Sequence, residues 1–186
     1  MSPRSPRKGR SVGRPKGRII LVLGGASSGK SEFALQVGGL RGPRAFVATG
    51  QGLDDEMAGR IARHQATRSA EWQTVEEPLD VEAWLVKQGA GYRTIVFDCV
   101  TLWLSNLLGS GLVESIILAR IESLLEAMRL TGANVIIVSN ELGCGLVPAD
   151  PSVRAFRDLS GRVNQCLAAG ADEAYLVVSG LPLRLK

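Results

Sequence analysis

Eight residues near the start of this 186-residue chain leave it few possible folds: Gly24-Gly25-Ala26-Ser27-Ser28-Gly29-Lys30-Ser31. They follow directly on the apolar run Ile19-Ile20-Leu21-Val22-Leu23, which is short, rich in β-branched side chains and closed by glycine. Such a run is expected of a strand buried on both faces. The loop fits G-x-x-x-x-G-K-[ST], and Ser31 to Val37 reads as the helix that should follow it. The chemistry of the pattern is anion binding. Glycines let the backbone curl until its N–H groups face phosphate oxygens, and a helix beginning near Lys30 adds the positive end of its dipole. Lys30 then brings a full charge to the β/γ-phosphates, and Ser31 offers a hydroxyl to Mg²⁺. The bland alternative is a Gly-rich turn that only joins strand to helix.

Similar apolar runs recur at Ala45 to Ala48, Thr94 to Phe97, Asn134 to Val138 and Ala174 to Val178. Helical patterns separate them at Asp54 to Thr67, Val113 to Leu130 and Pro151 to Ala169. In the second of these, Ile117, Ile121, Leu124, Leu125 and Met128 share one side. Alternating strands and helices predict an α/β fold with a mostly parallel sheet covered by helices on both faces, of the P-loop NTPase (RecA-like) class. Asp98 closes the Thr94–Phe97 run. In a parallel sheet the strand C-termini share one edge, so Asp98 is placed to approach a metal held beside Ser31. Its alternative is an acid that caps the next turn.

Residues 1–18 hold seven of the 22 Lys and Arg side chains and no acid, so the body behind them is mildly acidic despite the net charge of +4. We expect residues 1–17 to be a disordered basic tail, too poor in apolar groups to offset ordering entropy, and residues 18–186 to form one nucleotide-binding catalytic domain. The segment Val12 to Arg18 carries an AT-hook-like Gly-Arg-Pro, but a solvated extension accounts for it as well, and no nucleic-acid partner is expected. Cys99, Cys144 and Cys166 are widely spaced and His64 is the sole histidine, which argues against structural zinc. With no apolar stretch of membrane-spanning length and no secretory-signal pattern, the expected compartment is the cytoplasm.

Four further segments narrow the reading. They are Ala48-Thr49 with Asp54-Asp55-Glu56-Met57-Ala58, Arg60-Ile61, His64, Arg68, Trp72, Thr74 and Glu76; Asp98-Cys99-Val100-Thr101-Leu102-Trp103-Leu104-Ser105-Asn106-Leu107-Leu108; Val138-Ser139-Asn140-Glu141 leading to Phe156-Arg157-Asp158 and Gly161 to Gln165; and Ser179-Gly180-Leu181-Pro182-Leu183. From Arg18 to Lys186 their order and spacing resemble the bifunctional adenosylcobinamide kinase/guanylyltransferase family of cobalamin synthesis. One departure lies in the phosphate loop, where Ser27 stands in place of the family's common Arg and removes a side-chain donor.

The resemblance implies two reactions: phosphorylation of adenosylcobinamide by ATP or GTP, then transfer of GMP from GTP to adenosylcobinamide phosphate through a GMP-histidine intermediate. It implies His64 as the guanylylated residue, beside the catalytic Lys30 and the Mg²⁺ site at Ser31 and Asp98 that the phosphate-loop pattern already suggests. It places the nucleotide against Gly24 to Ser31, Ala48, Thr49, Gly50, Gln65, Ala66, Thr67, Arg68, Glu76 and Asp98, and it implies a homotrimer. A neutral imidazole has a lone pair to attack the α-phosphorus. A carboxylate at Glu76 suits the guanine N1–H and N2–H₂ edge. Arg157, Asp158 and Asn164 match family positions without a role, while Trp72, Trp103 and Leu102 to Leu108 read as core. Two alternatives keep the same phosphate loop: a small-molecule kinase without guanylyltransferase activity, and a RecA-like ATP-dependent DNA-binding module.

Overall fold

The computed structural model describes residues 17–40, 42–52, 54–66 and 69–186, with the side chains of Arg60, His64 and Ala66 outside that description. The expected tail therefore lies, but for Gly17, outside the described residues, as do Thr67 and Arg68.

Seven strands run in the order β1 Ile19–Gly24, β2 Arg44–Ala48, β3 Trp72–Glu76, β4 Thr94–Asp98, β5 Asn134–Asn140, β6 Glu173–Val178 and β7 Leu181–Arg184. The helices among the described residues are α1 Lys30–Gly38, α2 Asp55–Ala66, α3 Val81–Gln88, α4 Val100–Gly109, α5 Glu114–Thr131 and α6 Pro151–Gly170, with a 3₁₀ turn at Gly89–Gly91. In space the sheet reads β3-β2-β4-β5-β1-β6-β7. All pairings are parallel except the last, β6 with β7. Each run expected to be a strand is one, and each expected helix is present.

Burial explains why β1 is wholly apolar. Ile19, Leu21 and Leu23 face one core cluster and Ile20 and Val22 the other, the two-residue alternation of a strand with both faces covered. The first cluster is the larger and gathers Trp84 and Leu85 of α3, Trp103, Leu104 and Leu107 of α4, Ile117, Ile121 and Leu124 of α5, and Leu159, Val163 and Leu167 of α6. The second sets strand side chains such as Val22, Phe46, Val96 and Val138 under α1, which adds Ala34 with Phe33, Leu35 and Val37 beside it. Trp103 is fully buried and Trp72 nearly so, so both tryptophans are core, as expected. Fully burying a side chain such as Val22 contributes roughly 1.5–3 kcal/mol, and the centre of the sheet holds many of them.

Four elements escaped the sequence reading. α3 follows Asp80 with Val81, Trp84 and Leu85 buried, an i, i+3, i+4 pattern that was available as a signal. α4 was legible only as an apolar stretch. β3 buries Trp72 alone among its five residues, with Val75 half-buried, and β7 buries none of its four. These are the two edges of the sheet, where little hydrophobic patterning is required.

The consequence for function is positional. Because the first six strands run parallel, Gly24, Ala48, Glu76, Asp98, Asn140 and Val178 end on one edge, where ligands of open α/β sheets bind.

Candidate active site

At the end of β1 the chain turns through the phosphate loop into α1. Gly29 sits at φ 92°, a left-handed conformation that costs glycine little, and a Cβ there would lie 3.1 Å from the Gly180 Cα. At Gly24 a Cβ would come within 2.4 Å of the Ser28 Oγ and 2.7 Å of the Val177 carbonyl, so no larger residue fits without displacing the loop. Ser27, at φ 55°, takes the left-handed region without being glycine. The loop is tied by its own atoms: Ser28 N donates to Gly25 O at 3.3 Å, and the buried Lys30 Nζ donates to Gly25 O at 2.9 Å. From below, Gly180 N donates to Ser28 O at 2.8 Å. Ser28 Oγ is buried with no hydrogen-bond partner among the described residues, an unspent donor inside an anion-binding loop.

Next along the edge, β5 lies between β1 and β4, with Gly24 in register with Asn140 and Asp98 with Val138. Glu141 N donates to Gly24 O at 3.0 Å, so the Asn140-Glu141 segment adjoins the phosphate loop. Ser31, in the first turn of α1, and Asp98 are both half-buried on this edge. Among the described residues no three His, Cys, Asp or Glu side chains converge on a metal site. One hydroxyl and one carboxylate do suit Mg²⁺, which keeps several waters and takes the rest of its shell from substrate phosphates. Cys99, immediately after Asp98, is not a competing nucleophile. Burial, and then the neighbouring Asp98 charge, push its thiol up to about 12, so it stays protonated.

On the far side of β4 a cleft of about 510 Å³ opens between β2, α2 and β3, lined by Ala48, Gly50, Gln51, Gly52, Ala58, Ile61, Ala62, Gln65, Glu76 and Pro78. The structure thus brings together Ala48, Gly50, Gln65 and Glu76, four of the residues expected to receive the nucleotide. Thr49 is buried and turned inward. Its Oγ1 donates to Cys99 O at 2.8 Å and accepts from Cys99 N at 3.0 Å, so it supports the wall without forming its surface. His64 belongs to α2, between Ile61 and Gln65 in the chain, and its side chain lies outside the described residues. Arg63 is exposed, and its Nε donates to Gly59 O at 3.3 Å.

The residues without an expected role acquire structural ones. Asn164 is buried and clasps the end of β5, accepting from Ser139 Oγ at 2.7 Å and donating to Asn140 O at 3.0 Å. Arg157 donates to Leu146 O at 3.1 Å and Gly143 O at 2.8 Å, holding the loop that follows β5. Asp158 lines a second hollow of about 330 Å³ with Gly143, Arg157, Gly161, Arg162 and Gln165. Sequence reasoning missed the work of α4. Thr101 Oγ1 accepts from Asn140 N at 3.0 Å, Trp103 Nε1 donates to Leu79 O at 2.9 Å, and Asn106 Nδ2 donates to Thr49 O at 2.8 Å and to Pro78 O at 3.0 Å. One helix buttresses three of the loops on the ligand edge.

A glycine-rich anion loop between a central parallel strand and a helix, with an acid ending a second strand of the same sheet, defines a P-loop nucleotide-binding protein. The backbone agrees with that of a KaiC-like protein from Pyrococcus horikoshii OT3 at a TM-score of 0.51 and 16% identity, over 87% of this chain and 71% of that one, a likeness of fold alone. A profile of the cobinamide kinase / cobinamide phosphate guanyltransferase family matches residues 20–185, and the chain belongs to that family. It is 39% identical over 180 residues to the bifunctional adenosylcobalamin biosynthesis protein CobU of Escherichia coli K12, covering 90% of this chain and 99% of that protein. It is 40% identical over 167 residues to the bifunctional adenosylcobalamin biosynthesis protein CobP of Pseudomonas aeruginosa, covering 89% and 96%.

Proposed function

We propose that this chain carries out both family reactions in cobalamin synthesis: it phosphorylates adenosylcobinamide with ATP or GTP, and it then transfers GMP from GTP to adenosylcobinamide phosphate with release of pyrophosphate. The observation that carries this reading is the placement of a phosphate loop and a separate 510 Å³ cleft on one sheet edge, with His64 in the helix that forms the cleft's wall. A kinase needs the loop. It does not need a guanosine cleft beside a histidine-bearing helix.

In the proposed mechanism the loop N–H groups and Lys30 hold the phosphate chain and stabilise the negative charge that develops on it. Ser31 and Asp98 would hold Mg²⁺, which supplies charge neutralisation between phosphate oxygens. Glu76 accepts from guanine N1–H and N2–H₂, a donor pair that adenine lacks, Gln65 lines the same cleft, and the family resemblance assigns Ala66, Thr67 and Arg68 to the nucleotide as well. The His64 imidazole attacks the α-phosphorus. A phosphorus–nitrogen bond forms, the α–β phosphoanhydride breaks, and pyrophosphate leaves. The phosphate oxygen of adenosylcobinamide phosphate then takes the GMP from His64 and regenerates the imidazole. Two in-line displacements divide one difficult step. We take the homotrimer and the cytoplasmic location as part of the same proposal. Among the described residues, no helix is long and apolar enough to cross a membrane.

Incubation with Mg²⁺ and GTP labelled at the α-phosphate tests the reading. Acid-labile, base-stable label that maps to His64 and is chased by adenosylcobinamide phosphate is the expected result. An unlabelled protein that demonstrably binds GTP would leave a small-molecule kinase.

A further inference from the structure

The cleft has two lips that the sheet itself does not hold together. The β2–β3 ladder runs from Arg44 opposite Trp72 to Ala48 opposite Glu76 and is extended once, by Glu77 N donating to Ala48 O at 3.0 Å. Beyond that point the chains diverge, one into Thr49-Gly50-Gln51-Gly52 and the other into Pro78-Leu79-Asp80. Two carbonyls just past the ladder, Thr49 O and Pro78 O, are both taken by the side-chain amide of Asn106, at 2.8 and 3.0 Å. An amide nitrogen has two hydrogens, and here each serves a different lip. Asn106 is half-buried on α4, three residues after Trp103, whose indole N–H takes the next carbonyl, Leu79 O, at 2.9 Å. Arg120 Nη2 donates to the same Leu79 O at 2.8 Å while its guanidinium pairs with Glu82. The lip that carries Glu76 and Pro78 is therefore pinned from behind, and Asn106 alone among these donors also reaches the opposite lip.

We propose that Asn106 is a positioning residue that fixes the spacing of the two lips, and through it the ability of the cleft to tell guanine from other purines. This rests on the proposed recognition of guanine by Glu76. Two converging hydrogen bonds from a carboxylate to a base edge tolerate little displacement, so widening the cleft weakens base recognition while leaving the phosphate loop, which Asn106 does not touch, in place. Asn106→Asp is the sharpest change: its shape is the same, yet an ionised carboxylate has no donor and faces two carbonyl oxygens. Asn106→Ala removes the clamp without that repulsion and keeps a strong helix former.

The test compares self-labelling by GTP with that by ITP, which lacks the 2-amino group, in wild type, Asn106→Asp, Asn106→Ala and Glu76→Gln. Thermal melts identify which variants are folded, and Asn106→Ala decides the matter if the aspartate variant is not. The expected result is a drop of about tenfold in the GTP:ITP ratio of kcat/KM for the Asn106 variants, the equivalent of one charge-assisted hydrogen bond. It should be carried by KM for GTP, with the rate at saturating GTP changed less than about threefold. General destabilisation would lower both nucleotides alike. If folded Asn106 variants keep the wild-type ratio while Glu76→Gln loses it, the positioning role is overturned and guanine recognition by Glu76 stands. If wild type does not distinguish the two nucleotides and Glu76→Gln changes nothing, base recognition by Glu76 falls and the role of Asn106 with it.

Discussion

The phosphate loop and the proposed base cleft share a sheet edge but are built on opposite plans. The loop is eight consecutive residues, closed on itself by Ser28 N and Lys30 Nζ to one carbonyl of Gly25 and set on the fully buried strand β1. The cleft is assembled from three separated stretches, at 48–52, 58–65 and 76–78, beside the exposed edge strand β3. Its lips are held by a fourth stretch, α4, that does not line it. A group that binds phosphate can be made locally because backbone N–H groups are its ligands. A group that recognises a base needs side chains from several directions, so its precision depends on bracing from elsewhere.

The sharpest way to separate the two regions is His64→Ala. Protein labelling and GMP transfer should vanish while phosphorylation of adenosylcobinamide survives within a few-fold, measured as ADP formation beside α-label incorporation. Equal loss of both activities in folded protein would merge the regions into one function. Lys30→Ala should strike both steps, by about 100- to 1,000-fold in kcat. Retained kinase turnover would mean that the steps do not share the loop. Glu76→Gln should act on the cleft alone, lowering the GTP preference about tenfold with phosphorylation by ATP unchanged, and a matching loss with ATP would remove the base-reading role.

An effect on stability, not on activity, falls at the join between the regions, where Thr49 Oγ1 and the Cys99 backbone exchange two hydrogen bonds. The folded Cys99 thiol sits near 12 against an ordinary 9.0, so the fold favours its protonated form. That contribution is fully present below pH 9 and is lost as pH rises from 9 toward 12. Stability should therefore fall progressively with rising pH across this window. Denaturant unfolding of Cys99→Ala should show a shallower alkaline slope. An unchanged slope would place the thiol in a more polar setting.

The same contrast explains what the sequence disclosed. The phosphate loop was legible because strand, turn and helix are contiguous and each glycine answers a local requirement. The buried strands were legible because both faces are covered. β3 and β7 were not, since edge strands need little apolar pattern, and Pro182 is tolerated in β7 for the same reason. In the cleft, Glu76 and Gln65 were reached through resemblance, without any local pattern to mark them. Asn106 was quoted within a resembling segment, but its partners are 57 and 28 residues away, and no local pattern reports a hydrogen bond to two distant carbonyls. Asn164 and Arg157 escaped for the same reason: their partners are backbone carbonyls and a serine hydroxyl made available only by the tertiary fold.

The turn after β6 bears on how the chain comes off the ribosome. β1 lies between β5 and β6 in the sheet, and the atom that supports Ser28 from below belongs to Gly180, 152 residues further along the chain. The phosphate loop thus gains this support from below only once the turn after β6 has been made. Such long-range closure slows folding, and a chain cut before Gly180 should keep residues 24–31 and still hold a nucleotide less firmly.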